Sequence, residues 1–266
     1  MISQIDSRPR RKARLLSDVA RRRPAAAFLV IGLSVGWASI AVPVVTGLPP
    51  IPFLVLMLVG LLGAALLVTR WAEGPGGVRR LLAGLFRWRF SPWRYAVILL
   101  GMPAATLAVG AVSGTANVPV DWPVFALGYL FQTVVWGALF ANLWEETAWT
   151  GFLQARLMNR RGLLGGALLT APWFVASHLP LIFLPGWTWA SAAVNLALLV
   201  VVAPVMRYLL GMHFLDTRGS LLAVGLQHAA FNASAGLGTT GYEYAGGLIV
   251  LTVLVAAGHV ASRAAR

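Results

Sequence analysis

Two adjacent glutamates, Glu145 and Glu146, follow an apolar run that extends from Trp122 to Leu143. The chain has only eight acidic residues, so a neighbouring pair at this place needs a reason. One charged carboxylate at the centre of a membrane helix costs roughly 2.5–3.5 kcal/mol, and two like charges also repel. Either both stand in water just past a helix end, or they are functional groups held at membrane depth. Three more residues bear on the choice. His178 ends the segment Pro172-Trp173-Phe174-Val175-Ala176-Ser177-His178. His228 and Asn232 are four apart in Gln227-His228-Ala229-Ala230-Phe231-Asn232, so they share one helix face. A buried His and Asn in an otherwise apolar span need polar partners.

These residue types define a chemistry. A carboxylate in a low-dielectric setting is a stronger base than in water and can serve as a general base near neutral pH. One histidine can help hold and deprotonate a water, while the other and the Asn amide donate hydrogen bonds to a developing oxyanion. Attack of that water on a peptide carbonyl is hydrolysis. Glu145, His178 and His228 could instead hold zinc with an open position. Asn is an unusual zinc ligand, which counts against metal, so zinc is the one cofactor considered and none is assigned.

The elements that must position these groups follow from composition. Of 266 residues 59% are hydrophobic and 11% charged, the profile of a polytopic membrane protein. Cysteine is absent, which excludes disulfides and thiolate chemistry. A net charge of +13 invites nucleic acid as a partner, but the arginines fall between apolar runs, where membrane topology needs them. No nucleic acid is expected; the partners are membrane lipid and a protein or peptide substrate.

Residues 1–24 form a basic arm with Arg8, Arg10, Arg11, Lys12, Arg14 and Arg21 to Arg23, read as cytoplasmic and in reach of anionic lipid. Residues 25–266 are read as one membrane domain. Its first span is Ala25–Thr46, and seven more are drawn at about Ile51–Thr69, Tyr95–Val112, Pro123–Leu143, Leu163–Leu179, Trp187–Leu210, Ser220–Leu237 and Ala245–Ala261. Segments after spans 2, 4 and 6 carry Arg70 to Arg94, Arg156 to Arg161, and Arg207 with Arg218; Arg263 and Arg266 follow span 8. Segments after spans 1, 3, 5 and 7 carry no Lys or Arg. This alternation gives an all-α, eight-span transmembrane bundle with both termini cytoplasmic. Gly77 to Trp93, where arginines interleave with Leu and aromatic residues, reads as an interfacial amphipathic helix.

Depth now favours the functional reading. The midpoint between Glu145 and His178 falls at Arg161-Gly162, so an antiparallel hairpin closing there puts both side chains at one height, roughly 25 Å from the turn. His228 lies ten residues beyond Arg218, roughly 15 Å into the membrane. Asn142, Gln154 and Asn195 read as helix-to-helix hydrogen bonders, and His213 and His259 as interfacial residues.

Glu-Glu with a following Gly, Phe174-x-x-x-His178 and His228-x-x-x-Asn232, in this order on successive membrane helices, resemble the CPBP family. That family comprises the type II CAAX prenyl endopeptidases with bacterial relatives known as intramembrane metalloproteases and Abi proteins. The resemblance covers about residues 95–262 and implies an intramembrane protease; the use of Arg over Lys, with Lys12 the only lysine, and the abundance of Ala and Gly suggest a GC-rich bacterial source, and so an inner (plasma) membrane. It implies that Glu145 with His178 activates water, that His228 with Asn232 forms the oxyanion site, and that Glu146 supports. The family motif commonly reads Glu-Glu-x-x-x-Arg, and Thr150 stands in the Arg position. Glu146 is then expected to be protonated or paired elsewhere. Two rivals stand beside the protease: a catalytically silent scaffold or bacteriocin-immunity protein of the same fold, and a proton-coupled transporter. The transporter should show an internal repeat, and the sequence has none.

Overall fold

A computed structural model describes residues 17–118 and 120–264, the side chains of 262–264 excepted. The arm residues Arg8 to Arg14, together with Arg263 and Arg266, lie outside the side chains described. The chain is helical almost throughout, and no strand occurs among the described residues.

Helix α1 spans Pro24–Thr46; Pro24 suits its first turn, and Gly47 ends it with φ 71. Helix α2, Ile51–Ala83, is broken at Gly74 (φ 71), after which Pro75 starts a second arm. Helix α3 is Pro92–Ser113. The next helical stretch runs from Trp122 to Phe183 with changing winding. It begins as α4 (Trp122–Leu130), becomes π-helical over Phe131–Asn142, makes one α-turn, α5 (Leu143–Glu146), and is π-helical again over Thr147–Gln154. Helix α6, Ala155–His178, then folds back at Gly162 (φ 71, ψ 178). Helix α7 is Trp189–Asp216, opened by a Thr188/Ser191 capping box. Helix α8 is Leu221–Ala233, and α9 is Glu243–Ala264.

Among the described residues, six helical stretches are long and apolar enough to cross a membrane. One is the 62-residue stretch folded at Gly162, and α8, with 13 residues, is too short to be among them. Large apolar side chains such as Val30, Leu56, Leu100, Phe140, Leu164 and Val253 stand exposed on the outside of the bundle, the arrangement that lipid covers.

The arginine-bearing segments meet at one end. Glu73 pairs with Arg156 and, at 3.0 Å, with Arg80. Arg87 donates to the Arg218 carbonyl at 2.6 Å, and Arg94 pairs with Asp216 at 2.8 Å. The opposite end is tied by backbone bonds from Asn117 to Leu237 and from Thr239 to Thr115.

Three expectations change here. The amphipathic segment is helical only to Phe86, because Ser91, ahead of Pro92, takes extended backbone and a new helix starts. Helix α7 continues six residues past Leu210, and Arg207, counted as a loop marker, is fully buried within it. His213 and His259, read as interfacial, are buried within the bundle at 2% and 7% exposure; His259 bonds Asp216 at 2.8 Å.

Candidate active site

The two glutamates occupy the single α-turn α5 between two π-helical stretches. π-Winding replaces i→i+4 by i→i+5 bonds and recurs at functional sites. Small residues let the neighbouring helices close in. A Cβ at Gly225 of α8 would lie 2.8 Å from Leu143, and one at Gly211 of α7 would lie 2.7 Å from the Gln154 amide nitrogen. Trp149 fixes the other flank: it is fully buried and meets Phe28 and Phe174 edge-on, at 5.6 and 5.7 Å.

Glu146 is fully buried and held on all sides. Arg207 reaches it with both terminal nitrogens, Nη2 to Oε1 at 2.6 Å and Nη1 to Oε2 at 3.0 Å. Thr150 Oγ1 donates to Oε2 at 2.5 Å, and His228 Nδ1 lies 2.7 Å from Oε1. The Arg207 guanidinium also covers the Phe174 ring at 4.3 Å. Glu146 is thus paired elsewhere, by an arginine 61 positions away on another helix.

Glu145 is held loosely. Its Oε1 is 3.7 Å from His178 Nε2, its Oε2 is 3.8 Å from His228 Nδ1, and the Asn142 amide donates to Oε2 at 3.5 Å. With Ser177 and His178 it lines a cavity with room for about one water molecule. Gly32, Gly36 and Trp37 of α1 and Met57 and Leu61 of α2 close that cavity.

The His178 contacts define its tautomer. Nδ1 is 2.9 Å from the Phe174 carbonyl, which can only accept, so Nδ1 carries the hydrogen. A neutral ring then turns the Nε2 lone pair toward a carboxylate that also only accepts. A water in the adjoining cavity has a hydrogen to donate to either of them.

Glu145, Glu146, His178 and His228 are therefore brought together from α5, α6 and α8. Asn232 is on the His228 face of α8, one turn on, but it is exposed where a buried side chain was expected. It is the next-to-last residue of a short helix and makes no side-chain hydrogen bond among the described residues. Gln154 bonds helix to helix, donating to the Arg207 carbonyl at 2.6 Å; Asn142 instead touches Glu145, and Asn195 is exposed.

The donors Glu145, His178 and His228 do not converge on one point: His178 Nε2 and His228 Nδ1 approach opposite oxygens of Glu145, at 3.7 and 3.8 Å. No group of three His, Cys, Asp or Glu among the described residues is disposed to hold a metal.

Residues 127–234 match the family model for the Rce1-like type II CAAX prenyl endopeptidases. This stretch is Rce1-like. The family is the one that the sequence motifs resemble, and it implies protease activity. The matched stretch contains all five motif residues and Arg207. Helices α1 and α2 lie outside it, yet they wall the cavity at Glu145. No curated protein matches the chain. Arg207, Gly32, Gly36 and Trp37 were not read as site residues from sequence. For Arg207 the signal was present: a lone arginine flanked by apolar residues on both sides, Val205-Met206 and Tyr208-Leu209-Leu210.

Proposed function

We propose that this protein is an intramembrane endopeptidase in which Glu145 and His178 activate a water. The observation that carries this reading is the cavity that both line: one water wide, bordered by a carboxylate that is not tied down and an imidazole lone pair. Glu145 takes one proton from the water as its oxygen attacks the peptide carbonyl carbon. The tetrahedral oxyanion accepts hydrogen bonds from the Asn232 amide, whose exposed place leaves its donors free, and from Nε2–H of the doubly protonated His228 ring, whose Nδ1–H Glu146 holds. Protonated Glu145 then gives its proton to the leaving nitrogen, the C–N bond breaks, and the products are a carboxylic acid and an amine. Arg207 and Thr150 fix Glu146, and Glu146 fixes the His228 ring by its Nδ1–H.

We further propose eight spans, by dividing the long stretch at Gly162 and counting Leu221–Leu237, in a bacterial inner membrane. The end where Arg79 to Arg94, Arg156 to Arg161 and Arg218 gather is taken as cytoplasmic, with both termini there. Residues 25–266 act as one membrane domain with residues 1–24 as a basic arm. The partners are membrane lipid and a membrane-associated protein or peptide substrate; nucleic acid is not one.

The test compares membrane-protein fragments in cells carrying the wild-type protein, Glu145→Gln, or a deletion. Fragments present only with wild type support the protease. Fragments and growth shared by wild type and Glu145→Gln, with the deletion differing from both, would replace it by the silent partner-binding reading.

A further inference from the structure

The arginine-rich end carries a second feature away from Glu145. Between α3 and α9 a groove of about 650 Å³ runs along the outside of the bundle, lined by Val97, Leu100, Gly101, Leu251, Leu254 and Gly258 among others. It ends at Ser91, Arg94 and Asp216. The same three residues border an open hollow of about 990 Å³ that also contains Arg89, Arg218, Trp88 and Tyr95. An apolar slot and a cationic hollow are thus continuous through Arg94.

Their dimensions and charges match one kind of occupant. From Arg94 to Ala104 the slot follows ten residues of α3, roughly 15 Å at 1.5 Å per residue. That is the depth of one leaflet of a hydrocarbon core about 30 Å thick. The mouth holds three guanidinium groups, Arg89, Arg94 and Arg218, against one carboxylate, Asp216, leaving two positive charges. Both Asp216 oxygens are already taken, by Arg94 and His259 at 2.8 Å each. Trp88 and Tyr95 stand where aromatic side chains anchor at a membrane surface.

We propose that this is a binding site for an anionic phospholipid, with the phosphate at Arg89, Arg94 and Arg218 and an acyl chain in the slot. A zwitterionic phospholipid would bring its own cation into a mouth already positive, so the site discriminates by headgroup charge. The site is separate from Glu145 and does not depend on its chemistry.

The full-length protein can be placed in nanodiscs of phosphatidylcholine mixed with phosphatidylglycerol, extracted in mild detergent, and its retained lipids weighed by native mass spectrometry. Wild type should keep one phosphatidylglycerol in preference to phosphatidylcholine. Gly258→Leu is the decisive variant. A Cβ at Gly258 meets nothing within 4 Å, so Leu fits without displacing protein, favours the helix, and fills the slot. It should abolish the preference. Gly63→Leu, at another open and exposed helix position, should keep it. Arg89→Gln with Arg218→Gln should weaken it about tenfold or more, since each arginine near an anionic surface contributes on that scale. Equal retention of both lipids by wild type, a preference that survives Gly258→Leu, or its loss in Gly63→Leu as well would overturn the proposal.

Discussion

Arg207 of α7 closes on Glu146 of α5 with both terminal nitrogens, and neither side chain is exposed. A fork-to-carboxylate pair of this kind is strong only where both partners are present. Removing one leaves an uncompensated buried charge, which costs about 3–5 kcal/mol. Arg207→Met should therefore lower the thermal midpoint in detergent sharply, whereas Thr150→Val, which removes one hydroxyl donor, should cost about 1.5–3 kcal/mol. Thr150 is one turn from Glu146 on the same face, so an arginine there could approach the same carboxylate. Thr150→Arg combined with Arg207→Met should recover part of the loss. An Arg207→Met protein that melts like wild type would show that the pair does not hold the site.

The pair also shows where sequence reading stopped. The three motifs, the helical class and the meeting of Glu145 with His178 across the Gly162 turn follow from spacing and apolar runs. Arg207 did not, because a charged residue in a membrane sequence is the ordinary sign that a span is ending, and it was counted with the arginines of the following segment although the span was drawn through it to Leu210. The second failure is geometric. Two π-helical stretches flank the glutamates, and no residue pattern marks a change from i→i+4 to i→i+5 bonding. Asn232 was expected to be buried because it shares the His228 face, but α8 ends one residue later and leaves it at the open end. The α1 wall was missed because Gly32 and Gly36 carry no chemistry of their own.

That wall gives a second test of the site. Gly36 lines the cavity with Glu145 and His178, and a Cβ there lies 3.3 Å from Met57 Cγ. Gly36→Ala adds one methyl group to a space about one water wide. Displacing the water by about 1 Å should lower turnover by roughly 10²-fold while folding is kept. Turnover equal to wild type would mean that the reacting water sits elsewhere.

Metal content follows from the donor geometry. Purified protein should contain less than about 0.2 zinc per chain by elemental analysis, against near one for a bound catalytic ion. Stoichiometric zinc that disappears in His178→Ala would contradict the metal-free reading.

Orientation can be read with single cysteines, since the chain has none. Leu48 and Thr240 are exposed in segments without Lys or Arg, and Arg160 is exposed at the opposite, arginine-rich end. Cysteines at Leu48 and Thr240 should react with an impermeant thiol reagent added outside cells, and one at Arg160 should not. The reverse pattern would invert the topology.

The role of Glu145 is tested most directly by cleavage rates on a peptide spanning a fragment end found in the cellular comparison. Glu145→Gln keeps the size and hydrogen-bonding capacity of the side chain and removes the base. With melting unchanged, its rate should fall by at least about 10²-fold, the lower range for a general base. A Glu145→Gln rate within about tenfold of wild type on the same peptide would contradict water activation by Glu145.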